Sequence, residues 1–434
     1  MPTIFAPITS PIRAGISIIR ISGSEVLQCL KTLGFIGAPT HQKISFQKIC
    51  DPKTSEIIDE VLVSFFKSPK SFTGEDVAEI SVHASPFIVK KVLEILSEVK
   101  NCRFAEAGEF SKRAFLNGKL DLVQAEAIPD LIAAETAAQH RQALQQLDGK
   151  LGEVYENWRF RLIEISAMIE AAIDFPDEDL PKNIIDGVES DVKNLCEEIR
   201  THLDDKKIGQ KIKTGLSLAI IGAPNVGKSS LINFLAQSEV AIVSEIAGTT
   251  RDVVEAHLSI AGVPVKISDT AGLRETSDEV EKEGIRRALN KAASADIKIF
   301  LLDATNPILR ENLIDQNTIL VANKIDLKTI PDYKFPVTKI SLTKKIGLDL
   351  LIKNLEEKIL EIVPNHAAPV ITQERYRVAL KNSVEHLKNF SMQKNIELSS
   401  EDLRMTAREI GKITGKVGVE NILDVIFSRF CIGK

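Results

Sequence analysis

No excess of positive charge marks this chain. Its 55 Lys and Arg face 60 Asp and Glu, a formal net charge of −5 with a pI near 5.9. A global basic field that would draw it onto nucleic acid is excluded, so any RNA contact must come from a local patch or a partner. No apolar run reaches the roughly 18 residues of a membrane span. The opening MPTIFAPITSPIRAG lacks a signal-peptide apolar core and the Arg/Ser-rich pattern of a transit peptide. A cytoplasmic, bacterial protein without membrane contact is expected. Cysteines are few: Cys29, Cys50, Cys102, Cys196 and Cys431, with no CxxC pair. That argues against zinc and redox-pair sites and suits a reducing cytosol. The first four read as small buried apolar residues. No short-period repeat is present.

What is there is ordinary globular material. The 434 residues are 44% apolar and 26% charged, enough for about three domains. Residues 1–118 mix strand and helix. AGISIIRISG and VAEISVH read as strands, and SPFIVKKVLEILSEV is an amphipathic helix. From Lys119 the chain turns Ala/Gln/Glu/Leu-rich and helical, with a turn at DFPDEDLP and a further helix in VESDVKNLCEEIRTHLDD. The basic KKIGQKIKTG reads as a linker. LSLAII, VPVKISD, ADIKIFLLDA and NTILVANK then alternate with helical stretches, the signature of a mainly parallel sheet. After VPNHAAP the chain is helical again. A multidomain fold follows: an α+β N-terminal domain (1–118), an all-α domain in two parts (119–210 and 369–434), and an α/β domain (211–368) inserted between them.

Three motifs carry chemistry. GAPNVGKSS, at 222–230, fits GxxxxGK[ST] between a strand and a helix. The amides of Asn225, Val226, Gly227, Lys228, Ser229 and Ser230 are expected to wrap phosphates at the helix N-terminus. Gly222 and Gly227 permit the turns, Lys228 reaches the β- and γ-phosphates, and Ser229 binds Mg²⁺. Asp269, Thr270, Ala271 and Gly272 form a DTAG loop. Its carboxylate would hold Mg²⁺ through water and its glycine amide would sense the γ-phosphate. Asn323, Lys324 and Asp326 form NKxD, whose Asp pairs with the N–H groups of guanine; adenine presents the opposite donor pattern. AIVSEIAGTTRD, at 241–252, reads as the first switch, so Ser244, Glu245, Ile246, Ala247, Gly248 and Thr249 face the nucleotide and Thr250 is a second Mg²⁺ ligand. In this order the motifs point to a P-loop GTPase using GTP and Mg²⁺. The glutamine that often orients water after the DTAG glycine is replaced by Leu273.

The chain resembles the MnmE (TrmE) family of bacterial tRNA-modifying GTPases. The resemblance covers essentially its whole length: RAGISIIRISG, SFTGEDVAEI, GEFSKRAFLNGKLDLVQAEA, the GTPase motifs and the terminal FCIGK. It implies a folate-binding-like N-terminal domain that forms a homodimer. It also implies an FAD-containing partner, MnmG, and modification of position 5 of the tRNA wobble uridine. By the same resemblance, K⁺ replaces the missing glutamine's catalytic help, held by Asn225, Ser244, Ile246 and Thr249. Glu281 orients the attacking water, and Arg251 and Arg274 help order the switches. A one-carbon folate, 5-formyltetrahydrofolate or a relative, would bind at Arg20, Glu79, Lys119 and Lys434. Cys431 is a possible functional thiol. Two stretches depart from the family pattern. Ser341-Leu342-Thr343 stands where Ser-Ala-Lys is usual, and Ala84-Ser85 follow His83 where Gly-Gly is common. The same GTPase motifs would also serve a GTP-controlled binding protein in ribosome or RNA assembly; the N-terminal residues and FCIGK favour the modifying enzyme.

Overall fold

A computed structural model describes residues 1–174, 182–238, 255–268, 294–364, 369–391, 396–428 and 430–433. It divides into two compact units. One comprises Met1–Pro129, Gln146–Lys193 and Asn382–Lys434, the other Asp130–Gln145 and Asn194–Lys381.

The first unit contains a sheet of β1 (Thr3–Pro7), β2 (Ile16–Ser22), β3 (Ile44–Cys50), β4 (Ile57–Phe66), β5 (Val77–His83) and β6 (Cys102–Phe104), in the order β3-β4-β5-β2-β1-β6. All pairings are antiparallel except β1 with β6. Alternation sends Ile19, Ile21, Val61, Val63, Ile80 and Val82 into one core, as period-2 patterning requires. The helices Val26–Thr32 and Pro86–Ser97 add Leu30, Val92 and Leu96 to it. The same alternation leaves Ile44, Phe46 and Leu62 exposed. Beyond the sheet, the helices Lys150–Asp174 and Ile396–Thr414 pack against each other. A small cluster of Leu122, Ala125, Leu423, Phe427 and Phe430 joins the helix Glu420–Phe427 to the helix Leu122–Ile132.

The second unit is built on β7 (Leu216–Gly222), β8 (Glu255–Ile260), β9 (Val263–Ser268), β10 (Ile297–Asp303), β11 (Thr318–Asn323) and β12 (Val337–Lys339), in the order β12-β11-β10-β7-β9-β8. Every pairing is parallel except β8 with β9. Leu218 and Ile220 enter one core cluster, Ala219 and Ile221 another. Burial on both faces explains why β7 reads as a nearly continuous apolar run, interrupted only by Ser217. The helix Leu348–Ile362 buries Leu348, Leu351, Leu355 and Ile359 at helical spacing.

One expectation is corrected here. KKIGQKIKTG is not a linker: residues Ile208–Thr214 form a helix. Ile208 and Ile212, four apart, bury on one face, and the surrounding lysines mask that pair in the sequence.

Candidate nucleotide-binding site

The carboxyl ends of β7, β10 and β11 lie side by side, with β7 between strands that cross to either side. Open parallel sheets bind ligands at such a point. β7 runs into the loop 222–227, and the helix Lys228–Gln237 begins directly after it. Val226 is fully buried and anchors the loop, while Asn225, Ser229 and Ser230 are exposed. Gly227 has φ +105, and a Cβ there would stand 2.6 Å from Asn323 Nδ2. Glycine is therefore required on conformation and on space. Lys228 Nζ donates to the carbonyls of Gly222 and Ala223, both at 2.9 Å. Its ammonium thus arches over the loop that would hold phosphate.

Asn323, only 4% exposed, is a strut. Its Nδ2 donates to the Val226 carbonyl at 2.9 Å, and its Oδ1 accepts the Leu342 amide at 3.2 Å. Phosphate loop, NKxD loop and the 341–346 loop are joined by this one side chain. Asp326 is exposed in the turn beyond. Ser341 and Ile346 exchange backbone hydrogen bonds, both at 3.0 Å. Ser341 Oγ accepts the Lys344 amide at 3.1 Å. Backbone bonds therefore hold this loop despite its departure from Ser-Ala-Lys.

Sequence reasoning missed Asp303, at the end of β10. Its Oδ2 accepts Lys324 Nζ at 2.6 Å, and Lys324 also donates to the Asn225 carbonyl at 3.0 Å. Burial works against ionising Asp303, but hydrogen bonds from Lys324 and Thr305 outweigh it and hold the carboxyl below its usual range. The available signal was two adjacent strands ending in polar residues, LLD and VAN. Ser244, Glu245, Ile246, Ala247, Gly248, Thr249, Thr250, Arg251, Asp269, Thr270, Ala271, Gly272, Arg274 and Glu281 lie outside the described residues.

A second group of expected residues lies in the first unit. Arg20 and Glu79 are cross-strand partners, joined at 2.9 and 2.8 Å. The guanidinium also lies 5.1 Å from the Phe72 ring centre and 5.5 Å from that of Phe110. Lys119 is exposed, and its Nζ donates to the Pro69 carbonyl at 3.1 Å. That carbonyl belongs to the loop that carries Phe72. The tail docks nearby. The Gly108 amide meets the Cys431 carbonyl at 3.4 Å, Ile432 bridges Ala107, and Gly433 lies against Pro7 and Ile8. Since Ala6 pairs with Arg20, the tail ends beside the Arg20 strand. Cys431 is exposed, and Lys434 lies outside the described residues. Ala84-Ser85 make a tight turn in which the Ser85 amide donates to the His83 carbonyl at 2.7 Å. His83 Nδ1 is 2.7 Å from Asp59.

Two further features were illegible in the sequence. Arg113, 1% exposed, donates to Glu75, Glu109 and the Pro2 carbonyl, and Arg103 grips Glu109 with two bonds of 2.7 Å. Burial opposes ionisation of Glu109, yet both arginines keep its carboxyl below the ordinary range. The thiols are also less scattered than their spacing suggested. Cys29 and Cys102 sit with sulfurs 3.5 Å apart, and burial pushes the Cys29 thiol up. Among the described residues, no group of three or more His, Cys, Asp or Glu could hold a metal ion, and no helix is long and apolar enough to cross a membrane.

A glycine-bounded loop between strand and helix, strapped to an NKxD loop, defines a P-loop nucleotide-binding protein. The model of the GTP-binding protein TrmE N-terminus matches residues 3–119, and that of the MnmE helical domain matches 122–431. The tRNA modification GTPase MnmE of Rickettsia typhi is 47% identical over 446 residues, spanning 100% of both chains. Its counterpart in Rickettsia akari is 47% identical over the same span. The chain belongs to the MnmE family. Among solved structures, the G domain of the T. maritima FeoB iron transporter is 27% identical, covering 34% of this chain and 98% of that one, with a TM-score of 0.26; it carries no part of the assignment.

Proposed function

We propose that the chain is a potassium-activated GTPase that hydrolyses GTP to GDP and phosphate. With an FAD-containing partner of the MnmG kind, it adds an aminomethyl or carboxymethylaminomethyl group at position 5 of the wobble uridine in tRNA. The relatives' shared name, tRNA modification GTPase, supports the GTPase and tRNA parts. The observation that carries the GTPase part is the Asn323 strut, which fixes the NKxD loop against the phosphate loop at 2.9 Å.

In this reading the loop amides and Lys228 hold the phosphates, and Asp326 selects guanine. Ser229, exposed at the helix start, and Thr250 are suited to Mg²⁺. Asn225 lies exposed at the loop's edge with φ +59, a position suited to a hard-oxygen K⁺ ligand together with Ser244, Ile246 and Thr249. When bound, the two cations supply positive charge against the charge that develops on the transferring phosphoryl group. Glu281 orients water in place of the glutamine absent at Leu273. Domain limits of 1–118, 119–210, 211–368 and 369–434 and a cytoplasmic location belong to the same reading.

Arg20, paired with Glu79 and lying over the rings of Phe72 and Phe110, suits a heteroaromatic one-carbon folate. A carboxylate can pair with pterin N–H groups, while Lys119 and Lys434 suit its glutamate tail. Cys431 serves to position the tail, a reading supported by the bond of its carbonyl with the Gly108 amide. Ile44, Phe46 and Leu62, exposed on adjacent strands with Phe46 opposite Leu62, support a homodimer through the N-terminal region.

The test is GTP turnover by the purified full chain in K⁺ against Na⁺, joined to mass analysis of tRNA nucleosides from cells lacking it. Faster turnover in K⁺ and loss of the modified uridine are expected. Equal slow rates in both salts would sink the K⁺ site. Unchanged wobble uridines would sink tRNA modification and favour a GTP-controlled binding protein.

A further inference from the structure

The bond from Lys324 of the base-reading loop to Asn225 of the phosphate loop is backed by a residue that belongs to neither motif. Asp303 closes β10 and stands in register with Asn323 of β11. Both its oxygens are engaged. Oδ1 accepts the Thr305 amide at 2.9 Å and the Thr305 hydroxyl at 2.6 Å; Oδ2 accepts Lys324 Nζ at 2.6 Å. The ammonium held there also donates to the Asn225 carbonyl at 3.0 Å. Lys324 and Asn225, the two ends of that bond, are both left-handed, with φ of 65 and 59. Residues other than glycine keep that conformation where their surroundings hold it. Among the contacts made by Lys324 here, the carboxylate of Asp303 is the charged one, and it fixes where the ammonium lies.

We propose that Asp303 is a positioning residue for guanine-nucleotide binding: through Lys324 it locks the base-reading loop onto Asn225 of the phosphate loop. This rests on the GTPase reading above. Burial is opposed and outweighed by the Lys324 and Thr305 bonds, so the carboxylate stays charged at neutral pH. The plain alternative is a partly exposed ion pair, with side chains 19% and 32% exposed, of the kind that adds little to stability. The two differ in what depends on Lys324. A mere surface pair changes stability slightly and leaves affinity alone. A positioning residue changes affinity, and only while Lys324 is present.

The experiment titrates a fluorescent GDP analogue into the full-length wild type, Asp303→Ala, Lys324→Ala and the double variant, with a melting curve for each. Asp303→Ala should weaken binding about tenfold, the size of a charge-assisted hydrogen bond, with little change in melting temperature. The double variant should bind no more weakly than Lys324→Ala alone, because Asp303 acts through that lysine. Affinity within twofold of wild type, or fully additive losses in the double variant, would overturn the assignment. If Asp303→Ala does not fold, Asp303→Asn removes the charge at constant size; unchanged affinity in that variant overturns it equally. Failure of the wild type to bind guanine nucleotide would overturn the GTPase reading, and this inference with it.

Discussion

Replacing Asn323 with alanine is the sharpest test of the site. The side chain is almost wholly buried and makes two hydrogen bonds, to the Val226 carbonyl and from the Leu342 amide. Each such bond is worth about 0.5–1.5 kcal/mol net, and each orphaned buried partner adds to the loss. Together they come to about 2–4 kcal/mol. Losing the strut lets the three loops separate in the free protein, so a nucleotide must re-order them on binding. Affinity should then fall by roughly 30- to 700-fold if all of that energy is drawn from binding. Fluorescence titration with a guanine-nucleotide analogue reads the loss, and a melting curve of the free protein reads what remains in stability. Asn323→Asp provides a second arm. It keeps the size but sets an oxygen against the Val226 carbonyl, so it should bind at least as poorly. A folded Asn323→Ala protein with affinity within threefold of wild type would refute the strut.

Other outcomes follow from the same geometry and the proposed chemistry. Glu281→Ala should bind nucleotide within about threefold of wild type while single-turnover phosphate release slows about 100-fold or more; normal release would remove Glu281 from its role. Iodoacetamide at neutral pH should label exposed Cys431 first and Cys29 last, since burial both shields Cys29 and keeps its thiol protonated. Peptide mass mapping showing equal rates would contradict that burial. Asp296 responds to acid. Burial raises its pKa, but hydrogen bonds from Ser217 and Lys211 outweigh burial and leave the folded value below the unfolded one. Its stabilising contribution is therefore present above an unfolded carboxyl pKa of about 4 and is lost as pH falls through the lower folded value. Asp296→Asn should melt lower than wild type at pH 7 and lose less on acidification. An unchanged acid limb of the melting curve would count against the pairing.

The parts of the molecule that were readable in the sequence are those whose chemistry is local. GAPNVGKSS announces its loop because each residue acts within a few positions of its neighbours, and the strand before it is apolar at every position from Leu218 to Ile221. β2 and β5 were equally plain, since alternation is written into ISIIRIS and VAEISVH. What escaped depends on contacts far apart in the chain. Asp303 looks like any acidic residue ending a strand until β10 and β11 pair in parallel and bring it to Lys324, 21 positions away. Arg113 reads as one more surface cation of a helix, yet it is buried because Glu75 reaches it across 38 positions. The helix Ile208–Thr214 hid for the opposite reason. Four lysines in ten residues dominated the local signal, and the two isoleucines that bury it count only once a core exists to receive them. The C-terminal tail combines both cases. FCIGK is recognisable as a string, but its place is set by Gly108, Ala107 and Pro7, more than 300 residues earlier. A short, exposed end gains a fixed position only through such partners. A change at Gly108 should therefore displace Cys431 as surely as a change in the tail itself, since a Cβ at that left-handed glycine would strike the Phe427 carbonyl at 2.5 Å.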